Sequence, residues 1–258
     1  MSSKKCITTV IALCMAVLAI HADVDAEYSF EGTLGDKIPV EISFCVNGDG
    51  IAVGEILYTK AKSPTPILIV GYAEEWGYAM NEYQADGTIT GSLSMIIEED
   101  GGKPSLKEGT WFNPKTGKEF QMKNMKLVST SVDVPKYMDY EKADNIGTEY
   151  SYQIWNSAYE SMMGGTACFK YIGEHKVHFE VSNASHNIAE GQSAPDRPAV
   201  LGDYTYDYFN YDNVNECGYG FSAYFFKRFV VLRTTSGPDT YGCFGMGASF
   251  DGVYMKIK

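Results

Sequence analysis

The chain has 258 residues, with 33 acidic and 21 basic side chains, four histidines and a formal net charge of −12 at pH 7. A surplus of that sign repels nucleic acid and anionic lipid surfaces, so it argues against nucleic-acid binding and favours basic partners. Nineteen tyrosines head the aromatic set, as suits a strand-rich chain.

Residues 1–22 read as a secretory signal. Lys4 and Lys5 form its basic start, an apolar run extends from Ile7 to Ile20, and Ala22 offers a small residue for cleavage. The run is short of the ~20 residues a membrane span needs. Leu13, before Cys14, is too bulky for a lipoprotein cleavage site. The expected product is soluble, secreted or periplasmic, with no membrane insertion after cleavage. It keeps Cys45, Cys168, Cys217 and Cys243, which allow two disulfides in three connectivities.

Residues 23–128 predict an all-β domain of eight short strands: 28–33, 37–46, 51–58, 67–72, 78–84, 88–97, 106–112 and 119–128. In the second, Ile38, Val40, Ile42 and Phe44 alternate with Pro39, Glu41 and Ser43, the period-two pattern of a half-buried strand. Asn47-Gly48-Asp49-Gly50 is a hairpin turn, because Asn and Gly tolerate the positive φ that tight turns need. Gly32, Gly54, Gly71, Gly91 and Gly109 sit inside strands, where glycine marks bends and close backbone approach. Eight antiparallel strands with such glycines predict an up-and-down barrel, whose closure removes both sheet edges.

Residues 129–146 are polar and aperiodic and read as a linker. Residues 147–258 form a second β domain, an antiparallel barrel or sandwich, with strands at 169–171, 176–181, 204–210, 218–226, 229–233 and 248–257. Residues 153–163 suit a short helix or a strand equally. The segment 182–198 reads as a long loop, and long ordered loops are where binding tends to sit.

Phe225-Phe226-Lys227-Arg228-Phe229-Val230-Val231, then Cys243-Phe244-Gly245, then Phe250-Asp251-Gly252-Val253-Tyr254-Met255-Lys256, resemble the end of a β module found in secreted bacterial proteins. The resemblance covers residues 164–258. Many such modules have no assigned role, and some are attached to lysozyme-inhibitor-like proteins. The resemblance implies a Cys217–Cys243 disulfide. The same pair brackets a predicted hairpin, and a loop of that size contributes ~3 kcal/mol in the chain-entropy model. Cys45 and Cys168 either cross-link the two halves or stay as buried thiols, the second being preferred. The first half looks like the small barrels of the avidin and lipocalin type in architecture only.

No catalytic constellation stands out. His175-x-x-His178 with His186 could suggest a metal, yet positions i and i+3 of a strand face opposite ways. Glu98-Glu99-Asp100-Gly101-Gly102 reads as a solvated hairpin tip rather than the paired carboxylates of a glycosidase. No nucleophile elbow, P-loop or dinucleotide fingerprint occurs in a strand–turn–helix setting. No catalytic residue, metal or cofactor is therefore expected.

The binding signal is aromatic. Tyr72, Trp76 and Tyr78 flank a predicted hairpin end, and Tyr204, Tyr206, Tyr208 and Tyr211 alternate with Asp and Asn. Exposed Tyr and Trp beside hydrogen-bonding side chains suit protein or carbohydrate surfaces. Trp111 and Trp155 are expected as core anchors. The reading that results is a non-enzymatic binding or inhibitor-like protein. Its partner would be an extracellular protein or carbohydrate, with a basic lysozyme-like hydrolase as the favoured case. The alternatives are a carrier of a small apolar ligand in the first barrel or, least favoured, an extracellular carbohydrate-active enzyme.

Overall fold

A computed structural model describes residues 24–184, 187–202, 208–236, 243–244 and 248–257. The segment 1–22 read as a secretory signal, Tyr204, Tyr206 and His186 lie outside the described residues. The chain is almost entirely β, with a closed eight-stranded antiparallel barrel followed by further strands.

The barrel runs β1 (Val24–Leu34), β2 (Ile38–Asn47), β3 (Ile51–Tyr58), β4 (Ile67–Glu74), β5 (Gly77–Tyr83), β6 (Ile89–Asp100), β7 (Lys103–Phe112) and β8 (Glu119–Ser129). Each strand pairs with its sequence neighbour, and β8 returns to β1 through Phe30↔Leu127 and Glu31↔Lys126. Phe30, Val40, Ile42, Phe44, Ile56, Ile69, Leu93 and Met95 fill the inside. An eight-stranded barrel is either filled by side chains or holds one small ligand, and here the inward positions are bulky.

The predicted linker is a packed segment. Asp133 caps a one-turn helix, α1 (Val134–Tyr137), by accepting from the Lys136 amide. Val134, Tyr137 and Met138 are buried, and Lys136 Nζ bridges back to Glu55 on β3 at 2.6 Å. Apolar residues hidden among polar ones tie this stretch to both layers, so the linker expectation is corrected in that respect.

The second sheet contains β9 (Glu149–Asn156), β10 (Ser161–Gly173), β11 (Lys176–Ala184), β12 (Ile188–Gln192), β13 (Ala199–Val200), β14 (Tyr208–Val214), β15 (Tyr219–Phe225), β16 (Phe229–Ser236) and β17 (Gly252–Lys256). Its order is β12-β11-β10-β9-β17-β16-β15-β14, with β13 pairing β11. The C-terminal β17 thus sits mid-sheet between β9 and β16. The helix alternative for 153–163 is overturned, because Trp155↔Met162 and Ile154↔Met163 pair across a β9–β10 hairpin. The segment 182–198 is not one loop, since β12 pairs along β11 from Glu180↔Gln192 to Ala184↔Ile188.

This sheet curls around Phe169, Phe179, Phe209, Phe221 and Phe225, whose rings meet mostly edge to face at 4.9–6.2 Å. Side chains join its two ends. Asn215 Nδ2 donates to Glu190 O at 2.8 Å, and Tyr211 Oη donates to Arg197 O at 3.1 Å while accepting from the Ala194 amide. Cys217 and Cys243 form the disulfide, with Cα atoms 5.5 Å apart. Cys45 is buried between the layers, and burial, aided by Glu27, pushes its thiol up to about 12. Cys168 departs from the expectation of burial, for it is exposed on the outer face of β10.

The two layers share one core. Cys45, Ile51, Val53, Leu68 and Val70 on the outside of the barrel join Tyr152, Val231, Val253 and Tyr254 of the second sheet in one apolar cluster. Polar contacts sew the seam. Arg233 Nη1 donates to Asp49 O at 2.5 Å while its guanidinium lies 4.9 Å over the Tyr72 ring. Gln153 Nε2 donates to Thr88 Oγ1 at 2.8 Å, and the Gln153 amide donates to Gly87 O at 3.0 Å.

Candidate functional site

In an up-and-down barrel alternate hairpins open at the same end. The β4–β5 and β6–β7 turns therefore lie side by side on one rim. The first presents Glu74, Glu75 and Trp76, and the second Glu98, Glu99 and Asp100 around Gly101 and Gly102. All six named side chains are exposed, Trp76 to 51%. Both glycines of the second turn have positive φ, 58° and 80°, as a tight acidic tip requires. Lys107 pairs with Glu98 at this tip, both well exposed, and the other carboxylates lend the rim a negative field.

The aromatic residues singled out in sequence do not form one surface. Trp76 is exposed as expected. Tyr72 lies in the seam, its hydroxyl donating to Leu232 O at 3.4 Å, and burial raises it well above the ordinary tyrosine value. Tyr78 turns into the barrel, against Phe44 at 5.2 Å and Tyr28 at 5.9 Å. Tyr208 is half-buried and stacks on Tyr224 at 5.8 Å, while Tyr211 is a core residue at 6% exposure. Tyr72, Tyr78 and Tyr211 are therefore corrected to packing residues. Strand phase turns Tyr78 and Tyr211 into the cores of their own layers, while Tyr72 points out of the barrel and is covered by the second sheet.

Two polar groupings escaped the sequence reading. Inside the barrel Glu82 is only 2% exposed. Its Oε1 accepts from Tyr58 Oη and from Trp111 Nε1 at 2.8 Å, and its Oε2 accepts from Thr90 Oγ1 at 3.2 Å. Burial raises its carboxyl above the ordinary glutamate value, and the three hydrogen bonds oppose that shift without cancelling it. Gly91 opposite leaves the space, because a Cβ there would collide with Trp111 Nε1 and the Glu82 carboxyl. Glu82 shares the inward phase of Tyr78 and Met80, and that phase was its one signal in the sequence. Trp111 is the inward anchor expected; Trp155 is only half-buried, on the opposite face of β9 from Tyr150 and Tyr152.

The second grouping lines an open, mainly apolar groove of about 690 Å3 on the outer face of β10 and β11, walled by Ser193 and Pro195. Lys170 and His178 are a cross-strand pair there, as are Cys168 and Glu180. His178 Nδ1 is 2.8 Å from Ser193 Oγ, which also accepts from the Phe179 amide at 3.2 Å. His175 sits in the tight β10–β11 turn with φ 56°, so the two histidines do not converge. Among the described residues no group of three or more His, Cys, Asp or Glu side chains could hold a metal ion.

No family model, no curated protein and no solved structure matches the chain.

Proposed function

We propose that this is a binding protein of the inhibitor-like kind, which engages a basic extracellular protein through the acidic barrel rim with Trp76 as its apolar anchor. The observation that carries the reading is the placement of Trp76, exposed to 51%, between carboxylates at two neighbouring hairpin tips. Aromatic side chains dominate binding hot spots, and clustered charge speeds encounter with an oppositely charged surface. A closed barrel is a suitable mount, since it holds both tips without a free sheet edge. The disulfide fits the secreted setting, in which such bonds persist. The carrier alternative would need room inside the barrel, where Phe30, Phe44, Ile56, Ile69, Leu93 and Met95 already meet.

The test is binding of the chain lacking residues 1–22 to a basic lysozyme at low and high salt. Binding at low salt that weakens with salt is expected. Trp76→Ala should weaken it by roughly thirtyfold, the loss of a ~2 kcal/mol anchor. Glu75→Lys with Glu99→Lys should slow association. Absence of binding at low salt, or binding indifferent to Trp76, would sink the proposal.

A further inference from the structure

The groove on β10 and β11 carries a second, separate inference. His178 and Glu180 are two residues apart on one strand, so their side chains leave the same face ~7 Å apart. Lys170 lies directly across from His178 on β10. One end of the groove therefore carries the Lys170 ammonium beside the His178 ring, and the other end carries a carboxylate. Neither Lys170 nor Glu180 has an ion-pair partner among the described residues. Between and beside them the lining is mainly apolar, with Pro195 at the wall.

The His178 ring is held in place. Its Nδ1 is tied to Ser193 Oγ, and Ser193, 7% exposed, is fixed by the Phe179 amide and by its own amide donating to Phe179 O at 3.0 Å. That leaves Nε2 as the ring nitrogen without a partner among the described residues. A binding side chain whose rotamer is set beforehand loses little freedom when a ligand arrives.

We propose that this groove binds a short apolar peptide by its two free termini, the carboxylate at Lys170 and His178 and the ammonium at Glu180. The lengths agree, because an extended dipeptide spans ~7 Å at 3.3–3.6 Å per residue. The volume of about 690 Å3 lies within the usual range of small-ligand sites. A purely anionic ligand would leave Glu180 opposed, and a cation would leave Lys170 opposed. A zwitterion of this length satisfies both. The groove is built from elements other than the barrel rim, so the proposal stands or falls independently of lysozyme binding.

The probe is the dipeptide Leu-Leu, compared with N-acetyl-Leu-Leu and Leu-Leu amide by calorimetry or by chemical-shift titration. Each blocked form should bind roughly five- to tenfold more weakly than the zwitterion. Glu180→Gln should abolish the distinction between Leu-Leu and its N-acetyl form while preserving that between Leu-Leu and its amide. Lys170→Met should shrink the latter distinction and preserve the former. Both replacements are on exposed strand positions and leave the apolar core intact. Saturating Leu-Leu should also slow alkylation of Cys168, which lines the groove opposite Glu180. Failure of Leu-Leu to bind at millimolar concentration, equal binding of the blocked forms, or unchanged alkylation of Cys168 would each overturn the proposal.

Discussion

Glu82 offers the sharpest test of how the barrel interior is held. Its carboxyl is raised chiefly by burial, so the folded protein holds that proton more tightly than the unfolded chain does. The stability this confers is complete below the ordinary glutamate value and is lost as pH rises through the higher folded value. The slope in that window reaches ~1.4 kcal/mol per pH unit for one group. Glu82→Gln keeps the shape and leaves Oε1 to accept from Tyr58 and Trp111, while its amide can donate to Thr90 Oγ1. The variant should match the wild type near pH 4 and become the more stable of the two as pH rises. Glu82→Leu removes every acceptor at once. Trp111 Nε1 is then left without a partner, at a cost of about 1–3 kcal/mol, and Tyr58 and Thr90 lose theirs. At about 2–4 °C per kcal/mol for a chain of this size, Glu82→Leu should melt roughly 5–10 °C below Glu82→Gln. Thermal unfolding from pH 4 to 8 reads both effects. Equal melting of the two variants, or a difference between Glu82→Gln and wild type that shrinks as pH rises, would refute the reasoning.

The remaining predictions concern covalent and backbone constraints. Replacing Cys217 and Cys243 together by Ser opens a loop with a sequence separation of 26 and should cost about 3–4 kcal/mol, read by denaturant unfolding with and without reductant. Wild type whose stability is indifferent to reduction would contradict it. Gly87 has φ +84°, and a Cβ there would strike Ser151 O on β9. Gly87→Ala should therefore cost about 2 kcal/mol and loosen the barrel turn from the second sheet, seen as faster hydrogen exchange at the Gln153 amide.

Period-two patterning and turn chemistry made the barrel legible strand by strand, since every inward position of β2 is apolar and every turn but Glu75-Trp76 carries Gly, Pro, Asn or Asp. The Cys217–Cys243 pairing was available from the resemblance of the C-terminal segment. The binding residues were harder to read because an aromatic run shows which positions alternate without showing which phase is buried. Tyr72 and Trp76 are four residues apart on one hairpin, yet Tyr72 is held under Arg233 while Trp76 crosses the turn into solvent. Lys170, His178, Cys168 and Glu180 come from two strands and meet only through register, which a single sequence does not encode.

The contact between the layers did leave a trace in the sequence. A barrel strand with one face in water alternates, as β8 does with Glu119, Gln121 and Lys123 set against Phe120 and Met122. Strands β3 and β4 break that rule: Ile51, Ala52 and Val53 are all buried, as are Leu68, Ile69 and Val70. A strand apolar on both phases is covered on both faces. Consecutive buried residues on adjacent strands mark the side of the barrel that receives the second sheet. The opposite wall, β7 and β8, keeps Lys107, Glu108, Lys123 and Lys126 toward water. Outer faces that are apolar on one wall and charged on the other imply a barrel seated sideways on its partner layer. The β2–β3 and β5–β6 turns still touch that layer, through Asp49 O with Arg233 and Gly87 O with the Gln153 amide, whereas Trp76 at the β4–β5 turn stays 51% exposed.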